Sequence, residues 1–335
     1  MTRMKAVQIA APGAELTLVE TAIPEPGERE VLIKVEACGV CHGDAVAKFG
    51  AMPGVTYPRV PGHEVVGTVV KTGPGGGALR PGARVGVGWS GGWCGLCEAC
   101  SEGRHHECSD SWITGLSIDG GYAEFMVARA SALVSIPDEL SSVDAAPLLC
   151  AGATTFSALQ ESGARGGDLV AIHGIGGLGH LGIQYANRLG FTTVAISRGS
   201  GKEEVARRLG AHHYIDAEAS DAAAELQRLG GAKVVLCTAP NAQAIGGLIG
   251  GLADAGQLII VAAPHDPIML NPGRLFGGGL SIKGWHGQRA ADAIAFSLRF
   301  AVTPVIETFP LERAPEAFDK MMAATVRFRA VLTVG

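Results

Sequence analysis

The sequence predicts an α/β protein of two domains, one rich in β-structure and one built on a doubly wound parallel sheet. Three observations predict it. A chain of 335 residues is too long for one compact core. Its first half reads as short strands broken by turns, and from residue 168 strands alternate with helices. That alternation requires right-handed crossovers between parallel neighbours. The expected division places 1–150 and 286–335 in the first domain and 151–285 in the second.

The elements follow in order. VLIKVEACGV (31–40), VVGTVVKTG (65–73) and ARVGVGW (83–89) mix β-branched residues with Gly and Pro punctuation. Near 141 the texture changes: Ser141 is an N-cap for the helical stretch SSVDAAPLLCAGATTFSALQES, which Pro147 kinks or divides. DLVAIHG is a buried strand, and Leu178, Leu181, Tyr185 and Leu189 then fall on one helical face. TTVAIS, a helix through KEEVARRLG, HYID, a helix through AAELQRLG, VVLCT, a helix near IGGLIGGL and QLIIVAA continue the alternation. After SIKGW (281–285) come helices around 290–300 and 312–324 and a final strand, RAVLTV.

Composition excludes several classes. Hydrophobic residues at 47% and charged residues at 18% describe a globular chain, not a disordered one. The net charge of −5 leaves no basic stripe for nucleic acid. The opening MTRMKAVQIAAPG lacks the apolar core of a secretory signal, and no apolar run nears the ~20 residues that cross a bilayer. The expectation is a soluble, cytoplasmic protein. In that reducing compartment eight cysteines do not form a disulfide framework.

Four of those cysteines, Cys94, Cys97, Cys100 and Cys108, are spaced C-x2-C-x2-C-x7-C. Short loops of this kind converge four thiolates at ~2.3 Å from a tetrahedral zinc, and a closed shell of that sort folds a loop without taking part in chemistry. His105 and His106 lie inside the same loop and are read as solvated, because the four sulfurs already complete the shell.

Gly174-Ile175-Gly176-Gly177-Leu178-Gly179 satisfies G-x-G-x-x-G, after a strand and at the opening of a helix. The first glycine permits the turn, the second lets backbone approach a pyrophosphate, and the third allows helix and strand to pack closely. The helix N-terminus supplies unpaired N–H groups to the phosphates. A nicotinamide dinucleotide is the implied ligand. An NAD site carries Asp or Glu about twenty residues on, to hold the ribose hydroxyls. Here the second strand ends in Ile196-Ser197-Arg198, with Lys202 close behind and no acid. Arg198 and Lys202 attract a 2′-phosphate, so NADP is favoured over NAD, although Ser197 also suits a bare ribose.

Cys41 lies in CGVCHGD, His63 and Glu64 in PGHE, and Cys150 in PLLCAG. Cys, His and Cys with an open fourth position is a known donor set for catalytic zinc, but spacing alone does not bring such distant residues together. At this point the sequence resembles the zinc-containing alcohol dehydrogenases of the medium-chain dehydrogenase/reductase family. CGVCHGD, GHE, the four-cysteine lobe, DGGYAEF, APLLCAG, GIGGLG and RAVLTV come in family order along essentially the whole chain. Closer in, it is similar to the microbial NAD(P)-dependent branch acting on primary and aromatic alcohols.

The resemblance implies a GroES-like catalytic domain and a Rossmann dinucleotide-binding domain, with two zinc ions, one catalytic and one structural. It makes Cys41, His63 and Cys150 the catalytic ligands, and Glu64 a carboxylate able to enter their shell. Asp44 is implied to orient His63 through its other ring nitrogen. His42 and Arg329 are implied at the cofactor pyrophosphate, and Thr154 at the nicotinamide. Trp89 lines the substrate pocket, and Trp285 hints at the same aromatic lining. Cys38 and Cys237 are read as core. The expected partners are an alcohol or aldehyde and a second copy or more of the chain, as a homodimer or homotetramer. One departure stands out: the family's usual Ser or Thr, whose hydroxyl passes on the alcohol proton, is here Gly43. Water or another side chain replaces it, or alcohol oxidation is impaired. The reading adopted is a water-mediated path, with Gly43 enlarging the space near the metal. A zinc-independent quinone or enoyl reductase, which lacks the Cys–His–Cys set, and a nonenzymatic zinc-binding module, which leaves GIGGLG unexplained, are the alternatives.

Overall fold

The computed structural model describes residues 3–77, 79–287 and 289–335. Among them the chain forms β1 (Arg3–Ile9), β2 (Leu16–Ala22), β3 (Glu30–Val40), α1 (Asp44–Phe49), β4 (Val65–Thr72) and β5 (Arg84–Val87). There follow β6 (Ser90–Gly92), α2 (Glu98–Ser101), β7 (Trp112–Ile113), β8 (Phe125–Arg129), β9 (Val134–Ser135) and α3 (Ser142–Pro147). Ser141 caps α3 by accepting from the Asp144 N–H at 3.2 Å. Pro147 closes that helix. The chain then widens into a π turn over Leu148–Gly152 before α4 (Ala153–Gln160).

Next come β10 (Leu169–His173), α5 (Gly179–Arg188), β11 (Thr192–Ser197), α6 (Glu203–Arg208), β12 (His213–Asp216) and α7 (Ala222–Arg228). The alternation continues through β13 (Ala232–Cys237), α8 (Ala242–Leu248), β14 (Leu252–Ile260), α9 (Pro272–Gly278), β15 (Ser281–Gly284) and α10 (Ala290–Phe300). The chain ends with β16 (Ile306–Pro310), α11 (Ala314–Met322) and β17 (Arg329–Thr333). No helix among the described residues is long and apolar enough to cross a membrane.

Two compact units result, Met1–Cys150 with Pro304–Gly335, and Ala151–Thr303. The sequence boundary at 285/286 differs from this at the second crossing. α10 belongs with the second unit because its apolar face is spent there. Phe296 packs 5.0 Å from the Phe156 ring of α4, and the Tyr185 hydroxyl of α5 meets Ser297 Oγ at 2.8 Å.

In the first unit, a mixed sheet runs β16-β17-β3-β4-β5-β9, with β8 also paired to β3. β3 is central, and Val31, Ile33 and Val35 pack with Val65, Val69, Val85, Tyr122 and Leu332 in its core. The register decides where chemistry can occur. Cys38 faces Val65 across the antiparallel β3–β4 pair, and Val40 faces Ala330 across β3–β17. The chain therefore delivers Cys41, His63–Glu64 and Arg329 at one end of three neighbouring strands.

The second unit holds six parallel strands in the order β12-β11-β10-β13-β14-β15. Strand order reverses between β10 and β13, the point where open α/β sheets bind ligands at the carboxyl ends of their strands.

Candidate metal centres and dinucleotide loop

Cys41, His63, Glu64 and Cys150 converge in the first unit, their ligand atoms all within 4.8 Å of one another. Cys41 leaves the end of β3, His63 and Glu64 precede β4, and Cys150 is carried on the π turn after Pro147. The two sulfurs lie 3.9 Å apart. That is close to the edge of about 3.8 Å in a tetrahedron with zinc–sulfur bonds of ~2.3 Å. His63 is 1% exposed, and its Nε2 has no hydrogen-bond partner. Leaving a buried polar atom unpaired costs roughly 1–3 kcal/mol. Beside two thiols, that nitrogen suits a metal ion.

Asp44 fixes the other side of the ring. Its Oδ1 pairs with His63 Nδ1 at 2.9 Å and accepts from the Gly62 N–H at 3.2 Å. Its Oδ2 accepts from the Cys41 N–H at 2.9 Å and from the Tyr122 hydroxyl at 3.0 Å. Tyr122, within the DGGYAEF segment, is fully buried. Burial opposes a charge on His63, yet Asp44 and Cys41 lift its proton affinity well above the ordinary histidine range. The site favours a cation beside these groups. A hydrogen bond from Cys150 and the nearby His63 and Arg329 draw Cys41 well below the usual thiol range, and Cys150 rises correspondingly.

Glu64 is fully buried and accepts from Arg329 Nη2. Gly39 makes room for it: a Cβ there would stand 1.9 Å from Glu64 Oε2. Burial pushes Glu64 up to about 8 against the opposing pull of Arg329. Oε2 has no hydrogen-bond partner, so one carboxylate oxygen remains uncommitted. Arg329, expected at the cofactor pyrophosphate, is 4% exposed and pairs with Glu64. His42 is exposed.

The expected extra space at Gly43 is not there. A Cβ at this position would lie 2.7 Å from His63 Cε1 and 2.9 Å from Trp89 Cζ3. Trp89, half-buried, stands edge-on to His63 with ring centroids 5.0 Å apart. Tryptophan fills the volume that the missing side chain was expected to free.

The second cluster joins Cys94, Cys97, Cys100 and Cys108. Sulfur separations of 3.9 Å for Cys94–Cys100 and 3.6 Å for Cys94–Cys108 are far too long for disulfides and suit a tetrahedral metal. The Leu96 and Cys97 N–H groups donate to Cys94 Sγ and draw its thiol down to about 6, giving a ready thiolate. His105 stacks flat on Trp93 at 4.0 Å, and His106 lies 3.5 Å from Glu107, so neither joins the ligand group.

In the second unit, Gly174 turns at φ +93 between β10 and α5, where a Cβ would lie 2.7 Å from that of Ala239. A Cβ on Gly179 would collide with the Gly174 carbonyl at 1.8 Å, whereas one on Gly176 meets nothing within 4 Å. Packing therefore requires the first and third glycines, and the second borders open space that a phosphate can enter. Gly177 and Leu178 complete the loop, with Leu178 as the N-cap of α5.

Ser197 ends β11, Arg198 is exposed, and Lys202 Nζ donates to the Ile175 carbonyl at 2.9 Å. Asp216, on the next strand, is the register partner of Ser197. Its Oδ1 already accepts the Gly199 and Glu218 N–H groups. Thr154 is half-buried on α4. Trp285 is held by its indole N–H, which reaches Ser157 Oγ at 2.9 Å.

The alcohol dehydrogenase GroES-like domain family matches residues 27–138, and the zinc-binding dehydrogenase family matches residues 177–302. Alcohol dehydrogenase patD of Penicillium expansum is 46% identical over 325 residues, covering 96% of this chain and 95% of that protein. An alcohol dehydrogenase of Geobacillus stearothermophilus is 37% identical over 340 residues, covering 99% and 100%. Among solved structures, an NAD-dependent alcohol dehydrogenase superposes with a TM-score of 0.92 at 28% identity, covering 99% and 100%. A cinnamyl alcohol dehydrogenase of Sorghum bicolor superposes at 0.88 with 30% identity, covering 99% and 98%. A chain that aligns with these enzymes from end to end, and carries both of their domains, belongs to the zinc-containing alcohol dehydrogenases of the medium-chain dehydrogenase/reductase family.

Proposed function

We propose that this zinc-dependent alcohol dehydrogenase interconverts primary or aromatic alcohols and their aldehydes, with NADP preferred over NAD. In this reading Cys41, His63 and Cys150 would hold one zinc, and Cys94, Cys97, Cys100 and Cys108 a second. The observation that carries it is the convergence of two thiols on a buried imidazole whose Nε2 lacks any other partner. Zinc bound there supplies a Lewis acid for the alcohol or carbonyl oxygen, and the nicotinamide supplies or accepts hydride.

The chain's own residues do the rest. Asp44 holds His63 in the tautomer with Nδ1–H, leaving Nε2 as the donor. Glu64, with Oε2 uncommitted, is the carboxylate placed to enter the shell, and Arg329 balances its charge in the dry interior. Gly43 has no hydroxyl, so the proton released by the alcohol leaves through water. Gly174, Gly176, Gly177, Leu178 and Gly179 would form the pyrophosphate cradle, and His42 and Thr154 are the further residues assigned to the cofactor, at its pyrophosphate and its nicotinamide. Trp89 presents an indole beside His63, which suits a flat apolar substituent. Trp285 is a weaker candidate, since its indole N–H is spent on Ser157.

Ser197 and the exposed Arg198 support NADP, while Lys202 turns to Ile175 and contributes charge alone. Eight cysteines without a disulfide suit a reducing cytoplasm, and a homodimer or homotetramer is the proposed assembly. The test follows NADPH and NADH consumption against a panel of aliphatic and aromatic aldehydes. Faster turnover with NADPH and with aromatic or primary aldehydes is expected. A strong NADH preference overturns the reading of Ser197 and Arg198.

A further inference from the structure

The absence of a side chain at residue 43 has a cause that backbone geometry does not supply. Gly43 has φ −60 and ψ −26, which any L-residue adopts without strain. What excludes a side chain is space. A Cβ would lie 2.7 Å from His63 Cε1, 3.1 Å from His63 Nε2 and 2.9 Å from Trp89 Cζ3. Real Cβ atoms essentially never approach other heavy atoms below 3.0 Å, so a ring would have to move.

Neither ring is free to do so. His63 is bound through Nδ1 to Asp44, and three further donors hold Asp44 in place. Trp89 is half-buried and packs against the core of the first unit. The two rings meet edge to face at an interplanar angle of 84°. In such a contact the edge of one ring faces the π-cloud of the other, and rotation of either loses it.

We infer that Gly43 and Trp89 form an interlocked pair of positioning residues that sets the direction of the His63 imidazole. Asp44 fixes one end of the ring, Trp89 supports its flank, and Gly43 leaves the volume both require. The inference rests on the reading of Cys41, His63 and Cys150 as a zinc site.

The test compares wild type, Gly43→Ala, Trp89→Ala and the double variant as full-length proteins. One measurement is the rate of zinc release to a chromogenic chelator. The other is the visible spectrum after exchange with cobalt(II), whose d–d bands differ between a site of two thiolates and an imidazole and a site of four thiolates. Gly43→Ala is expected to release its faster zinc at least tenfold more quickly, with the mixed-ligand bands shifted and the four-thiolate bands unchanged. Trp89→Ala in the same chain is expected to reverse much of that loss, because the His63 ring gains space to yield. Unchanged release and bands in Gly43→Ala overturn the inference, as does a double variant whose defect equals the product of the single ones. Should Gly43→Ala fail to fold by circular dichroism, Trp89→Ala alone decides: shifted mixed-ligand bands support the interlock, unchanged bands overturn it. A wild type that shows no mixed-ligand bands overturns the zinc-site reading beneath it, a result distinct from the others.

Discussion

At the residue scale the site is a matter of buried atoms and their partners. Asp44 accepts four hydrogen bonds, and only the one from His63 was implied from sequence, through the family motif. Tyr122 stands 78 positions away and reaches Asp44 only because β3 and the loop before β8 fold together, so no local spacing could announce it. Tyr122→Phe removes a buried bond to a carboxylate that keeps three other donors. It should cost about 1–2 kcal/mol in urea unfolding and weaken zinc binding by at most ~10-fold. An unchanged unfolding midpoint contradicts this account of the tyrosine. His173, at the end of β10, is a separate case. Burial holds it down to about 4 from the ordinary 6.5, and its Nδ1 has no hydrogen-bond partner. Between those pH values the unfolded chain takes up a proton that the folded chain refuses. The stabilisation is thus complete above pH 6.5 and falls as pH drops toward 4. The total is on the order of 3 kcal/mol. His173→Leu should flatten the acid side of a stability–pH curve relative to wild type, and parallel curves would falsify the assignment.

At the element scale, the glycine loop separates folding from binding. Gly176 faces open space, so Gly176→Ala should leave the melting temperature within about 2 °C of wild type. In the proposed pyrophosphate cradle its methyl group would stand where backbone meets phosphate, and dinucleotide affinity should fall at least about tenfold. Gly179→Ala drives a Cβ into the Gly174 carbonyl and should lower both stability and affinity. Equal effects of the two substitutions on stability contradict the division of roles. The loop was legible in sequence because its pattern is local and its strand and helix flank it directly. The β-rich elements Glu30–Val40, Val65–Thr72 and Arg84–Val87 and the break at Pro147 were legible for the same reason. The π turn that carries Cys150 was not, because it arises from how the chain resumes helical geometry after the proline.

At the scale of the whole molecule, the sequence showed two domains and the order of their motifs, and the structure relocates one boundary. α10 goes with Ala151–Thr303 because Phe296 and Ser297 find Phe156 and Tyr185, contacts more than a hundred residues apart that only folding reveals. The four-cysteine loop was legible outright, whereas the convergence of Cys41, His63 and Cys150 needed a family resemblance first and strand register to explain it. Arg329 shows the limit most clearly: the family motif implied it at the cofactor pyrophosphate, and only the Val40–Ala330 pairing reveals its contact with Glu64. The proposed reaction requires a zinc ion held by Cys41, His63 and Cys150. Zinc content and alcohol-dependent nicotinamide reduction, measured side by side on wild type and Cys150→Ser, test it most directly. Two zinc ions per chain should fall to one, and the rate should drop at least about a thousandfold, given the several kcal/mol a Lewis acid contributes. A Cys150→Ser protein that keeps both zinc ions and its full rate contradicts the account.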